Sequence, residues 1–207
     1  MTPLSRWRPV FLSFGTILAA CTGVGIVETS DPLVKLDDAA VLFMRKDRPL
    51  PAEKLIQEAI GIYQQRGDAH GLGNAYREYA DLLKSPAVSA WEASYRKAGG
   101  FLDRSITFDN RETKAAELYN RALAYYRRAV PELKATKQYD ALTNTYFNMA
   151  WSYWRLGEIA EACAEYDHTI AAYQENMGLN PGANPYVGRG GGSLPVAVAA
   201  ARKQAGC

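Results

Sequence analysis

Histidine is nearly absent: only His70 and His168 occur in 207 residues. Neither has a serine or cysteine partner in a recognisable catalytic arrangement, so the enzyme reading is unsupported and no catalytic residue is assigned. Cysteine is scarce as well. Cys21, Cys163 and Cys207 lack the spacing of a metal site or a disulfide framework. The glycines at 190–192 are not followed by Lys-Ser or Lys-Thr, which excludes a phosphate loop, and no cofactor is expected. Net charge is a further shortage. The formal +2 comes from Arg6 and Arg8; without them 24 − 2 = 22 basic residues face 22 acidic ones. A chain so balanced has no electrostatic footprint for nucleic acid. The apolar run at 10–20 is too short to span a bilayer as a stable helix.

That run has the layout of a secretory leader instead: Arg6 and Arg8 precede it, and small residues end it. Leu18-Ala19-Ala20-Cys21 resembles a bacterial lipobox. The resemblance implies removal of residues 1–20, a diacylglycerol on the Cys21 sulfur and acylation of the new amino terminus, typically with palmitate. Two or three acyl chains anchor stably where one is marginal, at about 0.8 kcal/mol per buried methylene. Thr22 in place of aspartate implies, by the same resemblance, the outer membrane and a periplasm-facing domain. Residues 21–30 read as a tether.

Tyrosine is abundant, and it falls at helical spacing. Over residues 140–176, Tyr146, Met149, Ala150 and Tyr153 share one face, and Ala162, Tyr166, Thr169, Ile170 and Tyr173 share another. Gly157 between them suits the left-handed residue that ends a helix. The pattern recurs. Leu72, Asn74, Tyr76 and Ala80 align with Leu142, Asn144, Tyr146 and Ala150. The second helix occurs three times, as Ile56, Ala59, Ile60, Tyr63; Tyr119, Ala122, Leu123, Tyr126; and Tyr166, Thr169, Ile170, Tyr173. These units resemble the tetratricopeptide repeat (TPR), a family of stacked helical hairpins that mostly bind other proteins. Thr169 departs from the family's usual alanine, and Pro181 comes late for its closing proline. The expected fold is all-α: a short TPR-like solenoid of antiparallel helix pairs over residues 31–179, with an irregular insertion at 86–110. An unrelated helical bundle is the alternative.

Asp31 and Pro32 are expected to cap a first helix to about residue 46, burying Leu33, Leu36, Ala40 and either Phe43 or Met44. Pro49 and Pro51 break the chain, and a helix follows over 51–66. Gly67-Asp68 turns into the next, which Pro86 stops. The insertion accounts for an unequal period. Tyr63 to Tyr126 spans 126 − 63 = 63 residues, Tyr126 to Tyr173 only 173 − 126 = 47. Trp91, Tyr95 and Phe101 make the insertion too apolar for a solvated loop; a lid and plain packing both remain open. A long helix over 111–134 should kink or end at Pro131. Cys163 reads as a small buried hydrophobe; a bridge to Cys207 is possible, but the tail at 180–207, rich in glycine and proline, is expected to be flexible and gives no reason for one. Its apolar segment at 194–201 could pack as a helix or stay disordered.

The TPR resemblance implies a concave groove lined by the first helix of each unit. Its positions here are Asn74, Arg77 and Asp81, and then Asn144, Phe147, Asn148, Trp151, Trp154 and Arg155. Asn can bond a peptide backbone, Arg a carboxylate, and Trp supplies apolar area; the two tryptophans could also be buried. The expected function is a lipid-anchored scaffold or assembly factor of the bacterial envelope, similar to pilotins or to secretion and outer-membrane assembly components. Its partner would be an envelope protein or peptide in the groove. An immunity protein that neutralises a toxin in the periplasm is the alternative, and a lipid-anchored hydrolase a lesser one.

Overall fold

The computed structural model describes residues 29–180 and 193–207. The expected leader, Cys21, nearly all of the tether and the glycine-rich linker at 181–192 lie outside the described residues. Within them the chain is all-helical, with no strand: α1 Pro32–Arg45, α2 Pro49–Arg66, α3 Ala69–Leu83, α4 Pro86–Ala90, α5 Glu92–Lys97, α6 Arg111–Ala135, α7 Tyr139–Leu156, α8 Ile159–Leu179 and α9 Leu194–Ala205.

Local chemistry sets most boundaries. Asp31 caps α1 by accepting from the Leu33 N–H at 2.9 Å, with Pro32 in the first turn, where its missing donor costs nothing. Asp68 caps α3 in the same way, from the Gly71 N–H at 2.8 Å. Pro86, expected only to stop α3, opens α4 after Ser85 caps it. Among the described residues five helix ends share one geometry, those at Gly99 and Gly206 (φ 89° and 88°) and three turns between longer helices. At Gly67, Lys137 and Gly157 the residue is left-handed (φ 65°, 54° and 84°), and the following N–H reaches back to the carbonyl of Tyr63, Leu133 or Tyr153. Lysine is an unusual occupant of that conformation, because its Cβ crowds the backbone.

Pro131 neither ends α6 nor interrupts it before Ala135. Proline removes one N–H and one intrahelical bond, but Leu133 in the turn beyond it is buried, and packing holds that turn. On α1, Leu36, Ala40 and Phe43 are buried as expected, together with Ala39 and Leu42; Leu33 and Met44 are 54% and 64% exposed. The helix buries the face at 36, 39, 40 and 43 against α2, and Leu33 falls off that face.

Each helix packs on its neighbour: α1 on α2, α2 on α3, α3 on α6, α6 on α7, α7 on α8 and α8 on α9, with α3 also touching α1 and α7. The hydroxyls of Tyr126 and Tyr119 on α6 bond Asn74 and Asp81 on α3, so sequence numbers rise on one helix as they fall on the other, and the two are antiparallel. Asn74 and Asp81 in turn meet Asn148 and Trp151 on α7, so α3 and α7 are parallel. The recurring positions are buried in register: Ile56, Ala59, Ile60, Tyr63; Tyr119, Ala122, Leu123, Tyr126; Tyr166 and Thr169, with Ile170 and Tyr173 half-buried.

α3 fits between two of these tyrosines because it carries glycine where each ring lies. A Cβ on Gly71 would stand 2.1 Å from the Tyr63 ring, and one on Gly73 2.5 Å from the Tyr126 ring. Tyr126 is fully buried and has nowhere to move. Gly73→Ala is expected to lower stability by about 1–2 kcal/mol, overpacking outweighing the gain in helix propensity. Gly61→Ala, where a Cβ meets nothing within 4 Å, should stabilise by up to about 1 kcal/mol. Urea unfolding of the two variants reads the contrast, and a stabilising Gly73→Ala would refute this packing.

The insertion forms two short helices, separated because Trp91 leaves helical geometry between them. Tyr95 and Phe101 are buried, their ring centroids 4.6 Å apart, and Phe108 sits 5.0 Å from Phe101. Glu53 of α2, 1% exposed, accepts from the Tyr79 hydroxyl at 2.7 Å and the Leu102 N–H at 2.8 Å. Arg111 bonds the Leu83 carbonyl and the Ser89 hydroxyl. The insertion is fixed to the body by its own aromatic core and these polar ties.

The end of the expected flexible tail is ordered. Leu194 and Val198 of α9 are buried against α8, Arg202 pairs with Asp167, and Cys207 forms a disulfide with Cys163, Cα atoms 5.7 Å apart. Cys163 is therefore a cross-link, not a packing residue. Sequence separation hid the pair: only the return of α9 along α8 brings residue 207 back to residue 163.

Candidate functional site

A groove of about 1170 Å³ opens between α1 and α7, with α3 as its floor and Pro86 and Ala87 of α4 at one end. Helical spacing builds all three surfaces. α1 presents Leu33, Asp37, Val41 and Met44; α3 presents His70, Asn74, Arg77 and Asp81; α7 presents Asp140, Asn144, Asn148, Trp151 and Arg155, with Phe147 beside them. Steps of three and four residues keep each set on one face. The eleven helical steps from His70 to Asp81 make the floor roughly 16 Å long.

The floor is a polar network joining three helices. Asn74 Oδ1 accepts from the Tyr126 hydroxyl at 2.9 Å and from Asn148 Nδ2 at 3.0 Å, and its Nδ2 lies 3.3 Å from His70 Nε2. Arg77 donates to Asp81 Oδ2 at 2.6 Å and to Glu78 at 2.7 Å. Asp81 Oδ1 also accepts from the Tyr119 hydroxyl at 2.5 Å and the Trp151 indole N–H at 3.0 Å. Arg155 Nε donates to the Tyr119 oxygen at 3.0 Å. Charge follows from this wiring. Burial disfavours the Arg77 guanidinium, but Glu78 and Asp81 outweigh it and hold its pKa above the usual arginine value. Burial and then Asp81 push the Tyr119 hydroxyl up. Burial holds His70 below the usual histidine value, against the pull of Asp68 and Asp140.

Of the residues expected to line the groove, Asn74, Arg77, Asp81, Asn144, Phe147, Asn148, Trp151 and Arg155 do so. Trp154 does not. It is half-buried against the core, its ring 4.8 Å from Trp151 and 5.8 Å from the Arg155 guanidinium. Several of the others also hold the fold together, since Asn74, Asp81 and Asn148 bind one another's helices. The α1 wall is hard to see in the sequence because that helix has no clear repeat signature, and its apolar residues read as core. His70, which reads as a turn residue, is on the floor one turn from Asn74. His168 is exposed on α8, 3.0 Å from Glu165. Among the described residues no group of three His, Cys, Asp or Glu side chains is placed to hold a metal ion, and no helix is long and apolar enough to cross a membrane.

No protein-family model, no curated protein and no solved structure matches the chain.

Proposed function

We propose that the chain is a TPR-like interaction protein, lipid-anchored through Cys21 to the bacterial outer membrane and facing the periplasm. There it would scaffold or help assemble envelope proteins by holding a segment of a partner in the groove. One observation carries this reading: three neighbouring helices turn their i, i+4, i+7 or i+8, and i+11 residues into one open groove. Its volume exceeds the roughly 300–1,000 Å³ of small-molecule pockets. A helix about 10 Å across and 16 Å long would fill it. Apolar and aromatic walls from Leu33, Val41, Phe147 and Trp151 would supply most of the affinity; the floor, its polar groups engaged with one another, would fix register rather than add strength.

Two further features support it. The helix pairs α1/α2, α3/α6 and α7/α8 follow one another as TPR hairpins would, with the recurring positions buried in α2 and α6 and buried or half-buried in α8. The disulfide suits an oxidising compartment such as the periplasm.

The test is affinity capture from envelope extract with the wild type and with Leu33→Glu combined with Asn144→Ala, two wall positions outside the floor network. Lys97→Glu on α5 serves as the control. The expected result is one partner retained by the wild type and the control and lost by at least tenfold in the groove variant. Equal capture by all three would refute a groove site. Labelling with a palmitate analogue, abolished by Cys21→Ser, tests the anchor separately.

A further inference from the structure

On the side of the molecule away from the groove, α6 and the turn after it carry cations that pair with no described carboxylate. Between residues 118 and 138 the chain has Arg121, Arg127, Arg128, Lys134 and Lys137 against Glu132 alone. None of the five forms an ion pair with a described carboxylate, whereas Lys35, Arg77, Lys84, Arg96 and Lys114 all do. The buried face of α6 meets α3 and α7 through Tyr119 and Tyr126; all five cations are exposed. Arg121 and Arg128 are seven residues apart on one edge of that outer face, and Arg127 and Lys134 are seven apart on the other, so the cations form two rows.

Four of them are also held in place. Arg121 lies over the Tyr76 ring at 5.0 Å, Arg128 over Tyr125 at 5.3 Å, and Lys134 over Tyr146 at 5.8 Å. Arg127 lies over Tyr153 at 5.8 Å and donates to its hydroxyl at 2.5 Å. Side chains fixed before binding lose less entropy when they bind. Lys137 occupies the left-handed position where the other four helix ends of this geometry have glycine.

We propose that the outer face of α6 docks on the anionic phosphate headgroups of a membrane surface. One exposed face of a 25-residue helix presents its cations to a plane, and it cannot enclose a nucleic-acid strand. Each cation brought to such a surface tightens binding by roughly fivefold, so the face alone binds weakly. Weak binding is sufficient for a chain already held at the bilayer, where effective concentration is high; in this respect the inference rests on the anchor at Cys21. Docking through α6 leaves the groove, on the other side of α3 and α7, open to a partner.

The experiment is sedimentation of the chain from residue 21 onward, with Cys21→Ala and hence no lipid, with vesicles. This chain contains every core residue. Binding is expected on vesicles of phosphatidylcholine with phosphatidylglycerol, at least tenfold weaker on phosphatidylcholine alone, and lost as salt rises. Arg128→Glu with Lys134→Glu should weaken it at least tenfold more. Should that variant unfold, Lys134→Gln with Lys137→Gln should weaken it roughly 25-fold with an unchanged unfolding midpoint. Equal binding to both vesicle types, indifference to the α6 variants, or equal retention by a DNA oligonucleotide would overturn the proposal. Because the protein tested has no lipid, a negative palmitate label at Cys21 would sink the anchor and leave this result standing.

Discussion

Glu53→Ala is expected to cost about 3 kcal/mol of folding stability, while Glu53→Gln costs nothing or stabilises at neutral pH. The carboxylate accepts from the buried Tyr79 hydroxyl and from the part-buried Leu102 N–H, both through Oε1. Alanine orphans the Tyr79 hydroxyl, an unsatisfied buried donor that costs about 1–3 kcal/mol, and removes the tie to the Leu102 N–H and the packing of the side chain as well. That is a large fraction of the roughly 5–15 kcal/mol that holds a domain together. Glutamine keeps an oxygen for both donors and removes a charge that the site holds at a cost. Oε2 has no hydrogen-bond partner, and burial, only partly opposed by the bonds from Tyr79 and Leu102, raises the Glu53 pKa above 4.5.

The sign of the pH dependence follows. Between its unfolded pKa near 4.5 and its higher folded value, Glu53 binds more protons in the folded state, so its contribution to stability falls as pH rises through that window. Glutamine has no such dependence. The advantage of Glu53→Gln over the wild type should therefore grow from pH 4.5 upward and level off above the folded pKa. Urea unfolding of both proteins across that range measures it. A difference that stays constant with pH would show that the carboxyl is not charged at a cost, and an unaffected Glu53→Ala would remove its role in fixing the insertion.

The legible parts of the sequence are those where a short-range rule acts alone. Asp31-Pro32, Gly67-Asp68 and Gly157 announce helix ends because capping and left-handed geometry need only neighbouring residues. The tyrosine-alanine register tells which faces of α2, α6 and α8 are buried, and the groove residues on α3 and α7 are what the TPR resemblance implies. What cannot be read depends on distant partners. Leu33 and Met44 are apolar at helical spacing, and no local property says that α1 turns them to a groove rather than to α2. Pro131 should break a helix by itself, and only the burial of Leu133 carries α6 past it. Asn74, Asp81 and Asn148 each look like free recognition groups; their engagement with one another depends on α6 and α7 meeting α3. Lys137 gives no turn signal, since lysine rarely takes that conformation.

Cys163 and Cys207 are the clearest case of a long-range feature, and the second large effect is expected there. Reduction of the disulfide, or Cys207→Ser, should lower stability by about 2–4 kcal/mol. The two residues are 44 apart in sequence, and closing a loop of that size restricts the unfolded chain by about 4 kcal/mol in the chain-entropy treatment. The measured loss should be at most that, because α9 can leave before the rest unfolds: it packs on α8 alone among its principal contacts. Hydrogen exchange should therefore show α9 losing protection first in reductant, with α3 and α6 unchanged. Detachment would expose Leu194, Val198 and the face of α8 beneath them, leaving the last helical pair without a cover, a condition that stacked helical arrays avoid with a terminal cap. The pairing itself is checked by adding reductant to Cys207→Ser, which should do nothing further. If reductant lowers the wild-type midpoint and the variant's equally, the loss comes from elsewhere; if it lowers neither, the cross-link is not what holds α9. With α9 gone, the groove on the other side of α7 should still bind its partner, because no residue of α9 reaches it; loss of binding would mean that the disulfide also sets the position of α7.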